Sequence, residues 1–282
     1  MSLARRPLPV ATMAKALVRT VPITGGNPYV GLAVWTDETT TWMALTIPYI
    51  DAIHVVPFSD DNPWESAPRV IRGNLKAPCR IATTPTGNLI VAEHDGNRLQ
   101  ELTTAGDTVR VMATDAAMFA VAVDASRGTI LAGKRDEDGT DGRVATLDLA
   151  SGECTGAACE YGSGPGQVED VMGVAILPDG MVAVASKPNR LVVLLPEGDP
   201  IAELAVSTPG VHFVDVAVAG DLIVTTVNLC RDLAWVRLGK DAAGEPLLSI
   251  VATTPLPESV VGIATLGDTV YVLATDNVYV FQ

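Results

Sequence analysis

The sequence predicts an all-β protein: a single six-bladed β-propeller with four-stranded antiparallel blades. Three observations predict it. A short apolar core with alanine at its centre recurs as Gly31-Leu32-Ala33-Val34, Arg80-Ile81-Ala82-Thr83, Ala120-Val121-Ala122-Val123, Gly173-Val174-Ala175-Ile176, Asp215-Val216-Ala217-Val218 and Gly262-Ile263-Ala264-Thr265. Successive alanines are 49, 40, 53, 42 and 47 residues apart, and periods in the forties holding several strands each mark propeller blades. Between these cores, period-2 apolar runs alternate with Gly, Pro, Asn and Asp, the signal for short antiparallel strands joined by hairpins.

Each repeat divides into strands in order. After the Ala33 core come Thr41–Thr46, Ile53–Val56 and Arg69–Ile71. The second repeat, clearest over Ala77–Leu102, continues with Leu89–Glu93, Arg98–Leu102 and Thr108–Met112. The third has Thr129–Gly133, Arg143–Asp148 and an ill-defined outer strand near Glu160. The fourth has Met181–Ser186, Arg190–Leu195 and Ile201–Val206, and the fifth Leu222–Val227, Leu233–Leu238 and Leu247–Ala252. The sixth has only Thr269–Ala274 and Asn277–Phe281 after its core, one strand short. Ala16–Val21 is a spare extended run, and pairing it outside Asn277–Phe281 closes the ring and removes a free strand edge. The spacing agrees: 18 residues follow Ala264 and Ala33 is 33 in, together 51, close to one more repeat. The whole chain, 1–282, is therefore expected to form one domain, with residues 1–15 a flexible N-terminal segment.

Composition narrows the function. Nineteen Lys and Arg against 33 Asp and Glu leave a net charge of −14, which repels phosphate backbones and anionic membrane surfaces on average. No basic cluster interleaved with aromatics points to nucleic acid. No apolar run approaches the roughly 18 residues that span a membrane. The first 36 residues carry only Arg5, Arg6, Lys15 and Arg19, without an acid or an apolar secretion core, so the reading leans to a soluble, cytoplasmic monomer. Cys79 falls in an inner strand as a small buried hydrophobe. Cys154 and Cys159 are either a local disulfide or free thiols, and their spacing is a poor zinc signature. Cys230 stands apart.

Ala77–Leu102 resembles an NHL repeat. Pro78, Ile81-Ala82, Gly87-Asn88, Val91-Ala92, Gly96-Asn97-Arg98-Leu99-Gln100 and Gly106 stand where that family has its proline, inner strand, turn, "NNRIQ"-like segment and following glycine. Glu93 replaces the usual aspartate. The fourth repeat matches through Gly173-Val174-Ala175, Pro178-Asp179-Gly180, Val184-Ala185 and Asn189-Arg190-Leu191, with Ser186 for the aspartate, and Gly162–Gln167 looks like the linker that precedes many such repeats. The resemblance implies a six-bladed propeller, a fold that hosts binding modules and enzymes alike.

Ligand sites in propellers gather on the face where inner strands start and second strands end. Two before each repeated alanine stand Gly31, Arg80, Ala120, Gly173, Asp215 and Gly262. Blades two and five are opposite in a ring of six, so Arg80 and Asp215 are expected to face one another across the channel. They form either a structural salt bridge over a water-filled axis or an orienting pair for a small polar ligand. His94 and His212 are placed on the same face, whereas His54 lies farther from the axis, so a three-histidine zinc site fits poorly. Glu93, Asp170 and Asp215 are oxygen donors of the kind a hard cation takes, although Glu93 also suits a pairing with Arg98. The acidic loop Asp136–Gly142 fails the EF-hand pattern because Asp141 holds the place of the required glycine. The Gly162–Gln167 run lacks the Lys-Ser/Thr of a phosphate loop, and no G-x-S-x-G elbow occurs.

The sequence therefore favours a non-catalytic scaffold that binds a protein partner or small polar ligand at the channel mouth, with Arg80, Glu93, His94, Asp170, His212 and Asp215 as candidates. The alternative is a calcium- or zinc-dependent lyase or lactonase with Glu93, Asp170, His212 and Asp215 lining its site.

Overall fold

The computed structural model describes residues 15–23, 28–58, 67–135, 142–206, 212–227 and 231–282. Strand β1 (Leu17–Pro22) comes first and belongs to the last blade. Blade 1 is β2 (Leu32–Thr36), β3 (Thr41–Ile47), β4 (Ala52–Phe58) and β5 (Arg69–Ile71), and blade 2 is β6 (Pro78–Thr83), β7 (Leu89–Glu93), β8 (Arg98–Leu102) and β9 (Thr108–Ala113). Blade 3 holds β10 (Met118–Asp124), β11 (Thr129–Lys134), β12 (Arg143–Asp148) and β13 (Cys154–Cys159). Blade 4 holds β14 (Asp170–Ile176), β15 (Val182–Lys187), β16 (Arg190–Leu194) and β17 (Pro200–Ala205). Blade 5 is β18 (Val216–Ala219), β19 (Leu222–Val227), β20 (Asp232–Lys240) and β21 (Pro246–Pro255); blade 6 is β22 (Val260–Leu266), β23 (Thr269–Ala274), β24 (Asn277–Phe281) and β1. These are the six blades of four antiparallel strands that the repeat predicts.

Several strand bounds differ from expectation by one to three residues, and two of the differences follow from pairing. The outer strand of blade 3 lies at Cys154–Cys159, ahead of Glu160; its small residues Gly156-Ala157-Ala158 give little strand propensity, so pairing with β12 decides it. The outer pair of blade 5 is longer than its apolar cores, reaching Lys240 and Pro246, because the ladder continues through Gly239↔Leu247 to the Asp241–Gly244 turn. Cys154 and Cys159 are free thiols. Five positions apart along one strand, at about 3.3 Å per residue, they are too distant to bridge. Cys230, residues 1–14 and the loop 136–141 lie outside the described residues.

The core is six wedges, one in each seam between adjacent blades. In β15, Val184 faces the blade 3–4 seam while Ala183 and Ala185 face the blade 4–5 seam. Period 2 sends alternate side chains to opposite sheet faces, and both faces are covered. That is why these strands read as nearly unbroken apolar runs. The blade 6–1 seam carries Met43, Leu45 and Ile47 against Leu273, Val278 and Val280. Closure is as expected: β1 pairs β24 antiparallel through Val21↔Val278 and Thr20↔Tyr279, and Ala16 and Gln282 exchange N–H···O bonds of 3.1 Å. No helix among the described residues is long and apolar enough to cross a membrane.

Candidate functional site

Three layers of residues stack along the propeller axis. At the far end all six repeated alanines (Ala33, Ala82, Ala122, Ala175, Ala217 and Ala264) line a cavity of about 240 Å³. The inner strands of all six blades meet around it.

The layer above is a plug. Arg80 is buried and runs from blade 2 across the axis. Its guanidinium donates to the carbonyls of Val30 in blade 1, Val261 in blade 6, Val214 in blade 5 (2.6 Å) and Met172 in blade 4 (3.4 Å). It also stands 3.5 Å from the carboxylate of Asp215. Asp215 accepts the backbone N–H groups of Val216 at 2.9 Å and Ile263 at 2.8 Å. The small residues of this layer make that arrangement possible. A Cβ on Gly173 would come within 2.5 Å of the Asp215 carboxylate, and one on Gly31 within 2.2 Å of the Cys79 carbonyl oxygen. Burial pushes the Asp215 carboxyl up, while Arg80 and the two N–H donors pull it down. Of the two sequence-level readings of the pair, this is the structural salt bridge, and it blocks the axis. Arg80 and Asp215 are engaged by protein groups and lie beneath the mouth.

Above the plug the loop face opens into a cup of about 840 Å³. The ring of Phe119 forms its floor, with the guanidinium carbons of Arg80 and Arg135 lying 5.3 and 4.8 Å from the ring centroid. One wall is cationic: Lys187 Nζ sits 3.0 Å and Arg135 Nε 3.6 Å from Asp170 Oδ2. The Asp170 Oδ1 atom is buried with no hydrogen-bond partner. Asp51 of blade 1 and Asp95 of blade 2 also line the cup. Asp51 accepts the N–H of Ala77 at 2.7 Å, and both residues hold left-handed φ values of 49° and 46°. His94 Nδ1 lies 2.9 Å from Asp95 Oδ1, and Tyr49, 80% exposed, stands at the rim. Cys79 also lines the cup, but burial pushes its thiol up to about 11. It is a protonated thiol at neutral pH and not a nucleophile.

Of the sequence candidates, then, His94 and Asp170 line the cup, and Arg80 and Asp215 lie beneath it. His212 is exposed, and its carbonyl accepts from Thr226. Glu93 is buried behind the β7–β8 hairpin, where Arg98 Nε donates to it at 2.8 Å and the Lys76 N–H at 3.1 Å. Sequence reasoning missed Arg135 and Lys187. The available signal was positional: both sit where a second strand ends at the mouth, as His94 does, and aligning the six strand exits finds them.

Burial also raises the Glu93 carboxyl, opposed by Arg98. A carboxylate raised in the folded state binds more protons folded than unfolded, so its contribution falls as pH climbs from its ordinary value through the raised one. Glu93→Gln is expected to flatten that part of the stability–pH curve, measured by urea denaturation between about pH 4 and 7. An unchanged slope would refute this assignment.

A metal needs several donors on one point. Among the described residues no group of three or more His, Cys, Asp or Glu side chains could hold one. Glu93 is engaged by Arg98, Asp215 by Arg80 and two N–H groups, and His54 by the hydroxyl of Tyr29 at 3.0 Å. The residues proposed for calcium or zinc therefore do not fit such a centre.

No family model matches the chain, and no curated protein matches it in sequence. Among solved structures it is similar to a chain in the crystal structure of a nidogen/laminin complex, with a TM-score of 0.63, 14% identity and 80% of each chain covered. It is also similar to a catalytically inactive virginiamycin B lyase from Staphylococcus aureus determined with quinupristin, with a TM-score of 0.64, 12% identity, and 94% of this chain and 98% of that one covered. At these identities the likeness is one of fold.

Proposed function

We propose that the protein is a binding propeller that receives a polar group of a small ligand or protein partner in the loop-face cup. One observation carries this reading: the cup is closed below by Arg80 and Asp215, and Lys187 and Arg135 stand together on its wall at Asp170. Its volume is that of a small-molecule or side-chain site. The two cations on that wall select a ligand that carries an anionic group. The likeness to a chain from a nidogen/laminin complex is compatible with a binding use of the fold. The likeness to a lyase shows that the same architecture also hosts catalysis, but the metal-dependent lyase or lactonase reading lacks a donor set among the described residues.

The test is calorimetric titration of the full chain with succinate, glycine and betaine. Succinate is expected to bind, and Lys187→Ala to weaken it roughly tenfold, the effect of one charge-assisted hydrogen bond. Arg135→Ala should do the same. No binding of succinate, or succinate binding by both variants as tight as by the wild type, would overturn the reading.

A further inference from the structure

The face opposite the cup carries a different site, at the seam between blades 4 and 5. Inner strands β14 and β18 start towards the mouth and end on that face, the seven residues of β14 covering about 20 Å at roughly 3.3 Å per residue. Blade 5 builds the site by being uneven. Strand β19 begins at Leu222, opposite Arg237, whereas β20 and β21 run on together from Leu238↔Leu248 to Lys240↔Pro246. The outer hairpin therefore overhangs the inner turn, and beside Leu238 the inward edge of β20 has no strand partner.

A cavity of about 350 Å³ lies against Leu238, between the inner turns of blade 4 (177–181) and blade 5 (219–222). Its lining reaches the surface as apolar side chains. Pro178 is exposed, and Met181, Val218 and Leu238 are half-buried, while Leu222 and Ile223 are buried. The turns around it are acidic. Asp179 and Asp221 line the cavity, and Glu197, Asp199, Asp241 and Glu245 stand in the outer turns of the same two blades, all exposed. The cations of these turns are Lys240 and Arg237, the latter held by Asp221 at 3.1 Å. Arg127 of blade 3 donates to the Gly180 carbonyl at 2.6 Å and is paired with its own Asp124 at 3.5 Å. The charge left over is negative.

We infer that this seam docks a basic protein segment, which seats one apolar side chain in the cavity and spreads lysines or arginines over the surrounding acids. An exposed apolar recess ringed by polar groups is the form of an anchored interface, and the acids set the sign of what approaches it. The site goes beyond the cup, whose cations take the opposite charge, and neither depends on the other.

The experiment is selection on the immobilised full chain from a random heptapeptide library lacking Asp and Glu, N-acetylated and C-amidated. Nothing in that library carries an anion for the cup. Enriched sequences are expected to combine one Leu, Ile, Met or Phe with two or more Lys or Arg. Met181→Lys keeps an unbranched stem on the seam but puts an ammonium in the recess, and should weaken the selected peptides about tenfold or more. The triple variant Asp179→Asn, Glu197→Gln, Asp241→Asn preserves the oxygens that accept the N–H groups of Met181 at 3.3 Å and Ala243 at 2.7 Å, so its fold should be unchanged. It should weaken the peptides similarly and flatten their salt dependence between about 50 and about 300 mM. No enrichment, basic sequences without an apolar residue, apolar sequences without basic ones, or undiminished binding by either variant would overturn the inference. Self-association of the chain that Met181→Lys abolishes would make the occupant a second copy and overturn it too. Succinate binding at the cup stands or falls by its own test.

Discussion

Arg80→Met is expected to lower the unfolding free energy by about 3–5 kcal/mol, the range for removing one partner of a buried ion pair. The loss is large because Arg80 does two things. It neutralises Asp215, which is buried, and it donates to carbonyls from four other blades. Methionine keeps much of the volume and donates nothing, so Asp215 is left as an uncompensated buried charge. The loss should depend on pH. Asp215 is already pushed up by burial and loses a group that pulled it down, so the variant's folded state holds its proton to higher pH. Stability lost through a raised carboxyl is lost as pH rises. The gap between wild type and variant should therefore be widest near about pH 7 and narrow towards about pH 4. Adding Asp215→Asn to Arg80→Met should recover part of the loss, because it removes the stranded charge. Urea denaturation of the three variants is the measurement. A loss below about 1 kcal/mol, or a double mutant worse than Arg80→Met, would mean that the pair is not the plug described.

The second large effect is expected from a chain lacking residues 1–22. This removes β1 and its five paired positions on β24. It also strips Val21 from the blade 6–1 core and Arg19 from the ring of Phe58, 4.7 Å from its guanidinium. With each backbone hydrogen bond contributing about 1 kcal/mol net, the ring should lose several kcal/mol. More distinctively, β24 becomes a bare edge whose Val278-Tyr279-Val280-Phe281 run templates pairing with another chain. Size-exclusion chromatography with light scattering should show association that grows with concentration. A synthetic peptide of residues 15–23 should reverse it. A truncated chain that stays monomeric and equally stable would show that the ring closes without β1.

Strand patterns were legible because period 2 and turn chemistry are local. Leu89–Glu93 and Arg98–Leu102 were readable to the residue from Gly87 and Gly96-Asn97, whereas β13 was not, because Gly156 and Ala157 carry no strand signal of their own. At the site, His94 and Asp170 were legible as polar residues at strand ends on the mouth face. Glu93 was misleading as a mouth candidate. A buried acid beside a turn looks the same in sequence whether it meets a ligand or, as here, Arg98. Arg135 and Lys187 were overlooked because a cation after a strand is ordinary on a surface; it is the carboxylate of Asp170, on a neighbouring strand start, that turns them inward.

By itself the sequence determined the ring: the number of blades, their strands, the alanine layer and the borrowed strand that closes it. Each of these follows from spacing between residues near in the chain, or from a repeat that is one strand short. Only the tertiary structure decided what the axis and mouth do. Arg80 meets Val214 and Val261 at separations of 134 and 181 residues, contacts that exist only once six blades have closed. The same closure turns one charged residue among small ones into a seal, and so makes the channel mouth a cup.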